Sequence, residues 1–274
     1  FTLLEMDVYY RWIDENGIPY RYYKSVGKQY NPTRIAAFGL ANYNRWVLSG
    51  MQEAKAKFLK MAGWFLDNEL ARYEYGFDWE ELKAPWISCM AQGEAASVLV
   101  RGYQLTSDER YVMRARQALE TFLMPISKNG VQSKINNEFV FLEEYPADEP
   151  GHVLNGFLYA LIGLIEYCDI AADDVEMIEL RDQLVCSLRC NIDKWGDKLW
   201  SYYQMPVEGG GINYCTPKYH NLQITQLIYV SDRLGQENLK TVIERWRKGS
   251  NSFRTRLQAL IGKIKFRLKN KAQR

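Results

Sequence analysis

Long apolar stretches are missing from this 274-residue chain. No run approaches the roughly 20 residues that cross a bilayer as a helix, so we expect no membrane span. The first residues, FTLLEMDVYYRW, lack the basic region and leucine-rich stretch of an export signal. Because the chain begins at Phe1, this expectation covers only the residues shown.

Histidines and paired cysteines are also scarce. The chain has only His152 and His220, and its five cysteines show no CxxC spacing. Cys186 and Cys190 lie one helical turn apart, but with so few histidines we expect no metal site. The unpaired, odd number of cysteines favours reduced thiols over a disulfide framework. We therefore expect a cytoplasmic protein.

The motifs of several large enzyme classes are absent. The sequence has no Walker loop, no Rossmann glycine pattern, no GxSxG elbow and no HExxH. Nucleotide, dinucleotide, esterase and zinc-protease chemistry therefore have no support. Acid–base chemistry without a cofactor is what remains.

Aromatic residues, by contrast, are abundant. They make up 14% of the chain, with 19 Tyr and 8 Trp. Rings in such numbers suit a carbohydrate or another ligand with planar faces, although aromatics also fill ordinary protein cores.

Charge is distributed unevenly. Residues 245–274 hold 11 of the 35 Lys and Arg and none of the 33 Asp and Glu, so a basic tail follows an acidic body. Within the tail, apolar residues recur at helical spacing between the cations. An anionic polysaccharide, an anionic membrane surface or a nucleic acid could use this tail, and a solvated terminal helix is the alternative.

The chain predicts mainly helical structure after a short extended opening. DVYYRWID and IPYRYYKSV flank the turn signal Glu15-Asn16-Gly17, which predicts a β-hairpin over residues 1–30. Four apolar stretches then each precede a more charged, amphipathic one. This alternation favours an incomplete α/α toroid of about four helical hairpins over residues 31–250, with a plain α-solenoid or an irregular bundle as alternatives. Residues 251–274 form the basic C-terminal helix or tail.

The toroid predicts where a site would lie. The apolar, inner helices begin with the polar stretches YNPTRIA, PWISCMAQGE, EEYPADEPGHVLNG and CTPKYHNLQ. If these helices run parallel, their four N-termini meet at one end, where unpaired N–H groups favour an anionic ligand.

Polar side chains in these stretches are the candidate site residues. Carboxylate and phenol in Glu143-Glu144-Tyr145 could serve as general base and proton donor, although acids before a helix often act only as caps. The other candidates share a position at the predicted end of the toroid or facing its interior: Tyr202, Tyr203, Tyr219, His220, Gln92, Glu94 and Asn155. The side chains that we expect to bind substrate are those of Gln92, Glu94, Glu143, Asn155, His220 and Gln223. A self-satisfied core network is the alternative reading of the buried ones.

Four of these stretches resemble the C-terminal helical domain of the D-glucuronyl C5-epimerase family. They are MAQGEAASVLVRGYQLT, EEYP followed by VLNGF, YHNLQITQL and, more weakly, YNPTRIAAFGLANYNRW. They occur in the same order and with similar spacing. The resemblance implies an α/α toroid that binds a polyanion, removes the proton at C5 of glucuronate and returns one on the opposite face.

The resemblance also implies roles for individual residues. It places catalysis on Glu144, Tyr145 and Tyr219, with Tyr202 or Tyr203 in place of a third catalytic tyrosine. The family has Arg-His after that tyrosine, where this chain has only glutamine, and Gln223 replaces a histidine of the YH stretch. Family members are also longer, with a β-rich N-terminal region.

Three hypotheses follow for the function. The first is C5 epimerisation of a hexuronate in an anionic polysaccharide, without a cofactor. The second is a polysaccharide lyase, which shares the first proton abstraction. The third is a non-catalytic glycan-binding relative. We expect a glucuronate-containing polysaccharide as partner rather than a nucleic acid. The basic tail suggests contact with a membrane surface, and the hairpin suggests a homodimer.

Overall fold

The computed structural model describes residues 9–207 and 209–271, without the side chains of residues 270 and 271. Its first regular elements are strands β1 (Arg21–Tyr23) and β2 (Gly27–Gln29), which pair antiparallel. The predicted N-terminal hairpin is confirmed, but its regular strands lie beyond the expected turn, and residues 1–8 of its predicted range lie outside the described residues. That turn, at residues 14–17, closes only the isolated bridge between Ile13 and Pro19.

Eight helices form four antiparallel hairpins, as the sequence predicts. The inner helices are α1 (Pro32–Ser49), α3 (Cys89–Thr106), α5 (Leu154–Ile170) and α7 (Pro217–Leu234). Their outer partners are α2 (Gln52–Leu66), α4 (Arg110–Leu119), α6 (Val175–Asn191) and α8 (Glu237–Asn251). Helix α9 (Phe253–Lys271) follows.

The inner helices pack side by side in chain order, from α1 to α7. The closest approach is between α3 and α5, where glycines replace side chains. A Cβ on Gly93 would lie 2.4 Å from the Cα of Ala160, and one on Gly163 would lie 2.1 Å from the Gly93 carbonyl oxygen. The main core lies between the inner and outer helices, and α5 is buried along most of its length. This arrangement is an incomplete α/α toroid.

Local sequence signals fix the starts of two inner helices. The Asn31 side chain caps α1 by accepting from the N–H of Arg34, and Pro32 occupies the first turn. The Thr216 hydroxyl caps α7 in the same way by accepting from the N–H of Tyr219. These caps place Arg34 and Tyr219 one turn into their helices, at the same end of the toroid.

A second hairpin, which the sequence analysis did not anticipate, supports the EEYP segment. Strands β3 (Gln132–Ile135) and β4 (Phe139–Leu142) pair antiparallel around a turn in which Asn136 and Asn137 have positive φ angles. An Asn-Asn pair between alternating residues is a turn signal that could have revealed it. The pairing continues from β4 to Glu143, whose N–H donates to the Val131 carbonyl.

None of the described helices is long and apolar enough to cross a membrane. The division of the chain at residues 30 and 250 stays a prediction.

Candidate active site

A cavity of about 660 Å³ opens at the end of the toroid where the inner helices begin. All four inner helices contribute to its wall: Asn31, Thr33, Arg34, Met90, Glu94, Asn155, Tyr159, Lys218, Tyr219, Asn221, Leu222 and Thr225. Glu144 from the EEYP segment and Arg21 from β1 complete the polar lining. The end of the toroid that the sequence predicts for the site therefore contains a cavity.

Glu144 is a buried carboxylate facing this cavity. Burial raises its pKa from 4.5 to about 7, and hydrogen bonds from Tyr145 and Asn155 oppose that rise. The Asn155 amide lies 3.4 Å from Oε2. A Cβ on Gly156 would lie 2.5 Å from the same oxygen, so glycine is what allows the carboxylate to reach this position. A carboxylate that titrates near neutral pH suits a general base.

Two tyrosines extend from Glu144 as a hydrogen-bonded chain. Tyr145 bonds both to the Glu144 carboxylate and to the hydroxyl of Tyr203. An ionised carboxylate can only accept, so Tyr145 donates to Glu144 and accepts from Tyr203. Burial and the negative charge of Glu144 raise the pKa of both phenols, which keeps them protonated. The chain can therefore pass a proton toward or away from Glu144.

Tyr219 stands at the rim of the same cavity. It is 39% exposed, and its ring packs edge-on against Tyr203 with centroids 5.6 Å apart. Burial and the charge of Glu144 raise its pKa, so its hydroxyl is a proton donor. The structure thus brings together Glu144, Tyr145, Tyr203 and Tyr219, four of the residues predicted to be catalytic.

Tyr202 is not brought to this group. Its buried ring packs on Tyr214 with centroids 5.2 Å apart, and burial raises its pKa to about 12. Tyr202 forms an isolated bridge with Tyr214, whereas the backbone bends at Tyr203, whose hydroxyl bonds to Tyr145. Of this pair, only Tyr203 reaches Glu144.

Glu143 faces away from the cavity and holds the loop in place. Its carboxylate accepts from the Ser133 hydroxyl, from the backbone N–H of His152 and from the His152 ring at 2.6 Å. These bonds fix His152 at a positive φ of 47°, just before α5 begins. The sequence analysis predicted that Glu143 binds substrate and gave His152 no role, although the two together position Glu144.

His220 is buried in a supporting layer. Its Nδ1 accepts from the backbone N–H and the hydroxyl of Ser201, and its Nε2 donates to the Trp246 carbonyl. The ring stacks on Trp200 with centroids 3.9 Å apart. Burial lowers its pKa to about 4, so the imidazole is neutral. These partners occupy both nitrogens, which explains why the predicted substrate-binding histidine is not part of the cavity wall.

Two predicted polar residues also belong to this layer. The Gln92 amide bonds to both the N–H and the carbonyl of Tyr73. The Gln223 amide donates to the Tyr202 carbonyl and accepts from the Cys215 thiol. Both side chains are fully buried, and neither is among the described residues that line the cavity.

Three residues in the wall carry buried polar atoms without a hydrogen-bond partner among the described residues. These atoms are Nε of Arg34, Oε2 of Glu94 and Oδ1 of Asn155. Buried polar groups in proteins are nearly always hydrogen-bonded, so a cluster of exceptions around one cavity indicates a ligand site. Burial and the charge of Glu144 raise the pKa of Glu94 well above its usual value. Burial therefore favours the protonated form of Glu94, which can donate a hydrogen bond.

Cations on the wall were missed by the sequence analysis. Arg34 is only 7% exposed, its guanidinium lies 4.7 and 4.8 Å from the ring centroids of Tyr9 and Tyr10, and it donates to the Tyr9 carbonyl. No ion pair joins it to an acid among the described residues. Lys218 lines the same cavity from the first turn of α7. The Arg in NPTR and the Lys in TPK, each just after a capped helix start, were the available signals.

The family model for the D-glucuronyl C5-epimerase C-terminus matches residues 66–248, about two thirds of the chain. The chain belongs to this family. The matched range includes Glu144, Tyr145, Tyr203 and Tyr219.

Two relatives from this comparison differ in how much they share with the chain. A D-glucuronyl C5-epimerase of Caenorhabditis elegans is 36% identical over 117 residues, which are 40% of this chain and 19% of that protein. An uncharacterised protein of Methanocaldococcus jannaschii is 24% identical over 180 residues, 65% of this chain and 56% of the other. The chain thus spans only part of the length of the curated relatives it matches.

Solved structures share the fold at low identity. The unsaturated glucuronyl hydrolase of Bacillus sp. GL1 matches with a TM-score of 0.53 and 12% identity, covering 84% of this chain and 62% of the hydrolase. A structure of UGL with dGlcA-Glc-Rha-Glc matches over the same shares with a TM-score of 0.52 and 12% identity. At this identity the likeness supports the toroid alone.

Proposed function

We propose that this member of the epimerase family inverts C5 of a hexuronate residue in an anionic polysaccharide. The observation that carries the proposal is Glu144, a buried carboxylate with a pKa of about 7 that shares one cavity with a phenol and unpaired polar groups. Family membership and the epimerase relative support the reaction class.

In the proposed first step, Glu144 takes the proton from C5. The C5–H bond breaks, the proton moves to the carboxylate of Glu144, and the electron pair moves into the uronate carboxyl group to form an enediolate. A proton next to a carboxylate is weakly acidic, so the developing negative charge needs stabilisation. Arg34 and Lys218 supply positive charge on the cavity wall, and Glu94 in its protonated form can donate a hydrogen bond.

In the proposed second step, the Tyr219 hydroxyl gives its proton to C5 on the opposite face. The charge of Glu144 is one reason that the pKa of Tyr219 is raised. Once Glu144 has taken the substrate proton, that repulsion disappears and Tyr219 becomes a stronger acid. The first transfer therefore prepares the second. Tyr145 and Tyr203 can then pass the proton from Glu144 toward Tyr219 at the rim, which has given its own proton to C5.

Arg34 and Lys218 are proposed to bind the substrate carboxylate. In the family that the sequence resembles, an arginine and a histidine follow a catalytic tyrosine. This chain lacks them, so other cations are needed to bind the substrate carboxylate. Lys218→Met should raise KM about tenfold and also lower kcat, because the charge that binds the carboxylate also stabilises the enediolate and a lost charged hydrogen bond costs roughly 1.5–3 kcal/mol. Lys57→Met, on outer helix α2, is the matched control and should leave both constants unchanged. An equal loss in both variants would contradict the assignment.

The test is hydrogen exchange at C5. The protein is incubated with heparosan in D₂O, and the glucuronate H5 signal is followed by NMR. Deuterium at C5 together with new iduronate supports the proposal. Deuterium without iduronate, or an unsaturated product that absorbs in the ultraviolet, would replace it with incomplete inversion or with a lyase. Binding without exchange across several uronate polysaccharides would favour the non-catalytic relative.

Location is a separate proposal. We propose that the protein is cytoplasmic, because the described cysteines are all free thiols. The activity assay does not test this proposal.

A further inference from the structure

Helix α9 exposes an apolar stripe to solvent. Its six members are 45% to 80% exposed: Phe253, Leu257, Leu260, Ile261, Ile264 and Leu268. With about 100° of rotation per residue, their spacing of one, three and four positions places them within a sector of roughly 100°. An exposed stripe of this length is unusual on a protein surface and marks an interaction site.

The opposite face of α9 holds the helix to the body of the protein. Thr255 and Ala259 are buried, and a Cβ on Gly262 would lie 2.5 Å from the Tyr214 ring. The Lys263 ammonium donates to the Asn213 side chain. Because these contacts lie about half a turn from the stripe, the stripe is fixed facing away from the toroid.

Cations line both edges of the stripe. On the helical wheel, Arg254 and Lys265 follow one edge, and Arg256 and Arg267 follow the other. Helix α9 contains no Asp or Glu. An apolar stripe between two basic edges is the pattern of a helix that lies in the interface of an anionic membrane.

We propose that α9 binds the surface of a membrane that carries anionic phospholipids. The stripe would enter the boundary between headgroups and acyl chains, and the cations would contact the headgroup phosphates. A second copy of this chain is a poorer occupant, because pairing two α9 helices would bring two sets of cations together with no acid on either helix. A soluble polyanion would contact the cations but leave the apolar stripe in water.

Sedimentation with vesicles tests this proposal. The full chain is mixed with vesicles of phosphatidylglycerol and phosphatidylcholine in equal parts, and with vesicles of phosphatidylcholine alone. We expect sedimentation with the anionic vesicles only, weakened by salt. The double variant Leu260→Ser/Ile264→Ser should weaken this binding at least about tenfold, since two large apolar side chains would no longer be buried in the membrane.

A matched control replaces two leucines elsewhere that are even more exposed than Leu260 and Ile264 of the stripe. Leu48 at the end of α1 is 87% exposed and Leu70 is 70% exposed, so Leu48→Ser/Leu70→Ser should bind like the wild type. An unchanged thermal midpoint shows that each variant is folded.

Three outcomes would overturn the proposal. The first is no sedimentation with either vesicle. The second is a stripe variant that binds as tightly as the wild type, which would mean that the cations alone suffice. The third is a dimer in sedimentation equilibrium that the stripe variant loses, which would assign the stripe to a second copy. None of these readouts depends on the proposed reaction.

Discussion

Three pairs of adjacent residues divide between the cavity and the layer that supports it. The first member of each pair belongs to the group around the cavity and the second to the supporting layer: Glu144 and Glu143, Tyr203 and Tyr202, Tyr219 and His220. The members differ in how completely they are hydrogen-bonded. Glu143 accepts from three donors, whereas Glu144 has two neighbouring side chains and an open side toward the cavity.

This difference separates residues that react from residues that position them. A polar group whose bonds are all made inside the protein stabilises one arrangement and has nothing to offer a ligand. A buried group with unused capacity is unfavourable in the empty protein and favourable once a ligand supplies the missing partner. The comparison predicts that variants of the residues around the cavity and variants of the supporting residues will differ in activity, in stability and in the dependence of stability on pH.

The largest effect should come from replacing Glu144. We expect Glu144→Gln to lower kcat about 10³-fold, because a positioned general base contributes roughly 10²–10⁴-fold. The measurement is the rate of deuterium entry at C5. The neighbouring variant Glu143→Gln should act mainly on stability, lowering the free energy of unfolding by about 1–3 kcal/mol as its three donors lose a charged acceptor. Equal loss of kcat at equal stability in both variants would break the comparison.

Glu144→Gln should also stabilise the protein above neutral pH. The raised pKa means that the folded protein holds a proton between about pH 4.5 and 7 that the unfolded chain releases. Stability conferred by this group therefore falls as pH rises through that window, by about 3 kcal/mol at 1.36 kcal/mol per unit. Glutamine cannot ionise, so the variant should exceed the wild type most at pH 8. Urea unfolding at pH 5 and pH 8 measures this, and an equal difference at both would refute the assigned titration.

His220 should produce the opposite dependence on pH. Burial lowers its pKa from 6.5 to about 4, so the unfolded chain binds a proton in that window and the folded protein does not. Its contribution to stability is complete above about pH 6.5 and is lost as pH falls toward 4, again by about 3 kcal/mol. The Glu144→Gln variant lacks the opposing titration of Glu144. In this variant the free energy of unfolding should therefore rise between about pH 4 and pH 6.5. His220→Asn should flatten that rise.

The sequence anticipated the toroid and the position of the site because both follow from local patterns. Apolar stretches with polar, proline-bearing starts occur four times, and parallel helices put those starts at one end. What the sequence could not show is the direction of each side chain within a pair. Tyr202 and Tyr203 are chemically identical, and only the packing of Tyr214 against one ring decides which faces Glu144.

Residues distant in sequence were missed for a related reason. Arg34 looks like an ordinary helical arginine until the fold places it on the wall of the cavity that Glu144 also lines, beside two aromatic rings. The support of Glu144 by Glu143 and His152 depends on the β3–β4 hairpin, whose four-residue strands carry a weak sequence signal.

The smallest effect should separate the two adjacent tyrosines. Tyr203→Phe removes the hydroxyl that donates to Tyr145, so the hydrogen-bonded chain ends one residue short and the return of the proton from Glu144 slows. We expect kcat to fall about fivefold to tenfold, as the loss of a hydrogen bond of about 1–1.4 kcal/mol produces. Tyr202→Phe removes a hydroxyl that faces Tyr214 and should leave kcat within about twofold of the wild type by the same relation. Comparing the rates of deuterium entry in the two variants decides the matter, because a larger loss at Tyr202 would mean that the wrong ring has been assigned to the reaction.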